Sequence, residues 1–392
     1  MHVSCDGRRV RASQASEPLS YDAYRAQQRF PALDGLRAMA IFGVLLHHTR
    51  GAPFWRFNGY RGVWIFFVLS GFLITTLALR QEAKQGQLDL RGFAIRRVFR
   101  IMPIYYLTLA AYFIAVCGFA LEPNGALLRE HLGAFLLYSS EFPIFRSGFQ
   151  VPFGQSWSLG IEEKFYLVWP LVAFWLLQRS PYRIPVTLGL IATTATLTAT
   201  SGIWAQMWGS YTDILLGCLL AQLLHERAIY DRLVFLGRSW VAWALSLALG
   251  LATLRSAAGG HVAECLYAVL VAAVLTGLVT AERGPSRLLS AKWLMQIGAW
   301  SYAIYLTHTF CFDVTGRLMP SGRIGDLLTL PTALLLDIPL VWLLHRYIEK
   351  PSIELGRKLS SANAPVPARS VASVPADPPA SPSAHRSQTA WR

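Results

Sequence analysis

The feature that most constrains this chain is its recurrence of apolar runs near 20 residues long, the length a helix needs to cross a bilayer's hydrocarbon core. Such windows lie near 33–49, 62–79, 101–120, 157–177, 184–201, 209–225, 239–254, 262–281, 294–313 and 328–347. A backbone inside a bilayer finds no water to bond, so each window is expected to close its own hydrogen bonds as a helix. Only 15% of the residues are charged and 54% are hydrophobic, against about a quarter charged in soluble domains. The expected fold is all-α: a polytopic membrane helix bundle of about ten transmembrane helices, with both termini cytoplasmic. A soluble enzyme is disfavoured.

Charge sets the orientation. Lys and Arg number 36 against 22 Asp and Glu, an excess that marks cytoplasmic loops in a membrane protein and gives no reason to expect a nucleic-acid partner. The chain is polar through Arg29, without the apolar stretch of a cleaved signal, so the first span should direct insertion. His131 to Tyr138 is apolar but too short to cross. If it does not cross, Lys and Arg gather on the cytoplasmic side, whereas a crossing would divide them almost evenly. The positive-inside rule selects the first arrangement, with 121–156 an outer loop carrying a short re-entrant or interfacial helix. The expected location is the cell's inner (plasma) membrane, multi-pass, with the lipid bilayer as a partner.

Three regions follow. Residues 1–30 read as a polar cytoplasmic segment, 31–358 as the membrane-embedded domain, and 359–392 as a disordered cytoplasmic tail, with six prolines and no Leu, Ile or Phe after Ser360. Five scattered cysteines without CxxC spacing support neither a disulfide framework nor a metal site. The two halves show no internal repeat, which weakens a transporter reading.

Ionisable residues inside apolar runs are costly and usually face a bundle interior or wet cavity. The first run, FPALDGLRAMAIFGVLLHHTR, holds Asp34, Arg37 and His48. Arg37 and His48 are separated by about 16 Å and about three helical turns, so they share a face near opposite ends. His47 is turned about 100° away. Glu162, in QSWSLGIEEKFYLVWPLV, is expected at roughly the depth of His48, where a carboxylate could fix the imidazole's tautomer. The spacing of Ser158 and Glu162 leaves a helix-start role open. Ser70 and Gly71 interrupt an aromatic run, and packing suits them better than a nucleophilic serine. Arg96, Arg97 and Arg100 cluster on the cytoplasmic side, Arg96 and Arg100 on one face. They suit phosphate groups, or simply anchor the chain. His308 lies in the outer half of the ninth span, and Asp213 and Asp337 are further intramembrane carboxylates.

Taken in order, LDGLRAMAIFGVLLHH, FFVLSGFLI, RRVFRIMPIYY, WSLGIEEKFYLVWPL, SYAIYLTH and YIEKPS resemble the blocks of the acyltransferase 3 family of integral membrane acyltransferases, over about residues 30–358. Arg37 and His48 match its first-helix signature, an Arg or Lys, ten residues, then His, while Trp64 stands where an acidic residue often precedes the FFV block. The resemblance implies transfer of an acyl group from a cytoplasmic acyl-CoA-type donor to a hydroxyl of a cell-surface or secreted glycan or glycolipid. No permanently bound cofactor and no metal is expected. It implies His48 and Glu162 as catalytic, His48 being either general base or acyl carrier. Arg37, Asp34, Arg96, Arg97, Arg100, Ser70, Trp157, Ser158 and His308 are the candidate substrate-binding residues. No SGNH-type domain follows the last span, so a stand-alone form is expected. A small secondary metabolite such as a macrolide as acceptor, or a proton-coupled transporter, stays open as an alternative.

Overall fold

The computed structural model describes residues 18–49, 58–119, 124–254, 260–320 and 322–362, which form helices and turns with no strand among them. A helix lies at each apolar window: α1 (Pro31–His48), α2 (Arg61–Gln85), α3 (Leu90–Phe113), α4 (Trp157–Pro170), α5 (Arg183–Thr200), α6 (Ala205–His225), α7 (Ser239–Leu254), α8 (Gly260–Val279), α9 (Lys292–Leu318) and α10 (Arg323–Leu344). Wider turns, Ile114–Gly118 and Leu171–Leu176, prolong α3 and α4.

Five helical stretches are long and apolar enough to cross a membrane: Arg61–Gln85, Leu90–Gly118, Gly202–His225, Gly260–Val279 and Arg323–Ser361. A sixth is reached if Arg227–Gly237 and Ser239–Leu254, bent by 76° at their junction, count as one span. Charge sets two of the other helices apart. Asp34 and Arg37 interrupt α1, and Glu162, Glu163 and Lys164 interrupt α4.

Lipid tails are as apolar as leucine, so helices in a bilayer associate through close packing and buried polar contacts. The α2–α6 contact shows the first device. A Cβ on Gly71 would lie 1.9 Å from the Ile214 carbonyl oxygen, and one on Gly217 would lie 2.0 Å from that of Val68, so each glycine admits the other helix's backbone. Gly298 does the same for α9 against α1, where a Cβ would lie 1.9 Å from the Asp34 carbonyl oxygen. Arg183 shows the second device: its guanidinium bonds both carboxylate oxygens of Glu82, at 3.0 and 2.8 Å, and the carbonyls of Ala173 and Leu177. Asp337 joins α10 to α9 by accepting a 2.5 Å bond from Thr307. Leu167, Trp175, Leu176 and Leu335 face outward.

Among the described residues, the segment between α3 and α4 holds short helices, Gly125–Glu130, Leu132–Leu136 and Glu141–Arg146, ending in a tight turn at Gly154–Ser156. It is tied down at several points. The hydroxyls of Tyr105 and Tyr106 donate to the carbonyls of Phe135 and Leu136, at 2.8 and 2.9 Å. Lys164 pairs with the fully buried Glu141 at 2.6 Å.

Two boundary expectations change. Residues 18–30 are not simply solvated: the helix Tyr21–Ala26 docks on the bundle, with Tyr24 fully buried and the Tyr21 hydroxyl bonding the His225 carbonyl at 2.5 Å. The aromatic side chains supply apolar surface that the polar average of the segment conceals. At the other end, residues 359–362 close the helix Lys350–Ala362. The rest of the expected tail, and residues 1–17, lie outside the described residues.

Candidate active site

Two cavities lie along the α4 and α9 axes, and both are lined by Val63 and Tyr305. The first, of about 280 Å³, takes Asp34 and Arg37 from the start of α1, and Arg97 and Arg100 from the start of α3. Ser70 comes from α2, and Ser158, Glu162 and Tyr166 come from α4. With Arg29 it counts four arginines against two carboxylates among the described residues, so it is an anion-attracting space. Phe66, Leu73, Ile74 and Leu77 supply an apolar side.

Its polar groups hold one another. Asp34 pairs with Arg37 at 3.3 Å. The Tyr166 hydroxyl donates to Glu162 Oε2 at 2.9 Å and in turn bonds the Ser70 hydroxyl. The Arg97 guanidinium stacks over the Tyr166 ring, 5.0 Å from its centroid. Tyr166 thus joins the carboxylate to the arginines.

The second cavity, of about 760 Å³, gathers the opposite ends of the helices. His47 and His48 end α1, Tyr60 and Trp64 begin α2, and Gln150–Gln155 and Trp157 come from the folded-in segment and the first residue of α4. Asp213, Glu264, His308 and Asp313 also line it, with His261 at the start of α8. The rings of His48 and His308 meet edge to face with centroids 4.7 Å apart.

The wall between the cavities is hydrogen-bonded. Tyr305 donates to the Gln155 carbonyl at 2.9 Å, and its hydroxyl lies 2.7 Å from that of Ser158. Gln155 reaches across to the Leu306 carbonyl at 2.9 Å. Stretch 153–158 is almost wholly withdrawn from solvent, so α4 begins inside the bundle.

That placement corrects the expected pairing of His48 with Glu162. The two residues occupy different cavities, because α4 starts at the wall and Glu162 lies one turn past it. Of the expected arginine cluster, Arg97 and Arg100 line the cavity, while the Arg96 guanidinium lies over Gly92 at the start of α3. His47, placed by helical geometry on another face from Arg37, nevertheless lines the histidine cavity because that cavity is wide. Trp157 faces the histidine cavity and Ser158 the arginine cavity.

Several site residues escaped the sequence reading, Tyr166, Tyr305 and Asp313 among them. Tyr166 and Tyr305 stand four residues after Glu162 and three before His308, spacings that share a helical face. Asp313 carries the signal that marked Asp213 and Asp337, an acid within an apolar run.

The fold and these paired cavities define a multi-pass helical membrane protein with an arginine-rich cavity beside a histidine-lined one. The chain belongs to the acyltransferase 3 family: the family model described as an acyltransferase domain matches residues 30–346. It is 31% identical over 312 residues to peptidoglycan O-acetyltransferase OatA of Listeria monocytogenes, covering 71% of this chain and 48% of that protein. Identity to O-acetyltransferase OatA of Staphylococcus aureus is 28% over 360 residues, covering 84% of this chain and 58% of the relative. A putative peptidoglycan O-acetyltransferase of Bacillus subtilis, YrhL, is 33% identical over 180 residues, covering 44% and 28% respectively. The chain thus spans about half the length of the first of these relatives. No solved structure matches it.

Proposed function

We propose that this chain is a membrane O-acyltransferase that moves an acyl group, acetyl being the simplest, from an acyl-CoA-type thioester to a hydroxyl of a cell-wall glycan. The observation that carries this reading is the meeting of an arginine-rich cavity and a histidine-lined cavity at a single wall. Guanidinium groups suit the phosphates of such a donor, and the apolar side beside them suits its pantetheine arm. The acceptor enters the wider histidine cavity, where His48 takes the hydroxyl proton as the oxygen attacks the thioester carbonyl. The C–O bond forms, the C–S bond breaks, and the proton passes to the departing sulfur. The Ser158 and Tyr305 hydroxyls, at the wall, are the groups best placed to meet the developing oxyanion. Peptidoglycan as the acceptor is suggested by the names of the relatives.

In this reading ten helices cross the inner (plasma) membrane and both termini are cytoplasmic. Support comes from the way each cavity collects helix ends. The starts of α1 and α3 share one cavity, while the end of α1 and the starts of α2, α6 and α8 share the other. Successive helices that cross in opposite directions produce that alternation. The arginine cavity then opens toward the cytoplasmic donor and the histidine cavity toward the external glycan.

The test compares base-labile acetate in purified cell wall from cells with and without the protein, and with His48→Ala. The expected result is a gain with the intact chain that disappears in the variant. No gain, or more than about a tenth of it retained by the variant, would overturn the reading, since acid–base groups contribute about 10²-fold or more. Cysteines placed in 124–130 should be labelled from outside, and those in 226–237 should not.

A further inference from the structure

His308 is 1% exposed, and its ring is held in one orientation. Its Nδ1 faces the Tyr305 carbonyl at 2.8 Å and that of Ile304 at 3.2 Å. Carbonyl oxygens only accept, so Nδ1 carries the proton and Nε2 presents a lone pair. That Nε2 is buried and has no hydrogen-bond partner among the described residues. His48 repeats the pattern, with Nδ1 2.9 Å from the Val44 carbonyl and its Nε2 therefore also an acceptor. The two rings meet edge to face at 4.7 Å with an interplanar angle of 81°. Two acceptor nitrogens cannot bond each other directly, but the rings are close enough that a proton taken up by one is stabilised by the neighbouring lone pair.

We propose that His308 is the positioning partner of His48, sharing the proton that His48 removes from the acceptor hydroxyl. The inference rests on the O-acyltransferase reading and deepens it. As the acceptor oxygen bonds the thioester carbon, its proton moves to His48 Nε2. The new N–H is shared between the acceptor oxygen and the His308 Nε2 lone pair, which stabilises the imidazolium. When the C–S bond breaks, the same proton leaves for the sulfur and both rings return to their neutral tautomers. Acceptor and donor supply every atom of the exchange. Glu162 lines the cavity on the other side of the wall, away from this contact.

Three His308 variants separate this role from a structural one. Asn can replace the Nδ1 donor toward the carbonyls, whereas Gln can place an amide oxygen where Nε2 accepts. Purified protein in lipid nanodiscs is assayed with labelled acetyl-CoA and a soluble peptidoglycan fragment, counting released thiol and acetylated product at matched amounts of monodisperse protein. His308→Ala and His308→Asn should lower kcat about 100-fold with the KM for acetyl-CoA unchanged within about twofold, while His308→Gln recovers about tenfold of the loss. The double variant His48→Ala/His308→Ala should be no slower than His48→Ala, because the two act as one unit. Rescue by Asn and not by Gln, or additive losses in the double variant, would overturn the pairing. Full activity of all three His308 variants beside an inactive His48→Ala would overturn the pairing alone, whereas an active His48→Ala removes the underlying reading as well.

Discussion

The hydroxyls of Ser158 and Tyr305 lie 2.7 Å apart, one on α4 and the other on α9, and close the wall between the arginine and histidine cavities. A third partner, the Gln155 carbonyl, fixes the tyrosine. Tyr305 and Val63 border both cavities.

Tyr305→Phe removes both bonds and leaves the Gln155 carbonyl only the longer 3.4 Å bond from the Ser158 hydroxyl. Each lost bond is worth about 0.5–1.5 kcal/mol, so the wall should loosen while the fold persists. The expected outcome is faster release of free thiol from acetyl-CoA without an acceptor, as water reaches the thioester. Unchanged acceptor-free release would show that the wall does not guard the donor.

The arginine cavity predicts a split between neighbours. Replacing Arg97 and Arg100 together with Gln should raise the KM for acetyl-CoA about tenfold or more with a smaller change in kcat, as expected for lost ground-state binding. Arg96→Gln should leave both within about twofold, since its side chain lies over Gly92 outside the cavity. Equal effects from the two variants would count against the cavity as the phosphate site.

Glu162 distinguishes its two possible partners by kinetics. Through Tyr166 it organises the arginine cavity, so Glu162→Gln should act on donor KM, by about tenfold, and Tyr166→Phe should act in the same direction. A fall of about 100-fold in kcat at constant KM would mean that Glu162 serves His48 after all.

The Glu82–Arg183 pair should govern stability and not chemistry. Both residues are buried, at 5% and 8% exposure, so Glu82→Gln strands a guanidinium charge and should cost about 3–5 kcal/mol. Thermal unfolding in detergent should show the loss. Replacing both residues with Met should recover much of it, because the desolvation penalty then disappears with the charge.

The sequence by itself determined which apolar segments are helices and many of the residues that could carry chemistry. Both are local matters: an apolar run long enough to reach across a bilayer must bond its own backbone, and an ionisable group within such a run must find a partner or a cavity. His48, Arg37, Glu162 and His308 are legible on that ground alone. Their partners were decided only by the tertiary structure. Helical spacing fixes the angle between residues on one helix, but neither the depth at which the next helix begins nor its rotation. The stretch ahead of Trp157 folds into the bundle, which sets α4 at the wall and carries Glu162 past it, away from His48 and into the company of Arg37 and Arg97. The close approach of α9 to α1 at Gly298 brings His308 to His48, a contact between residues 260 positions apart that no local pattern encodes.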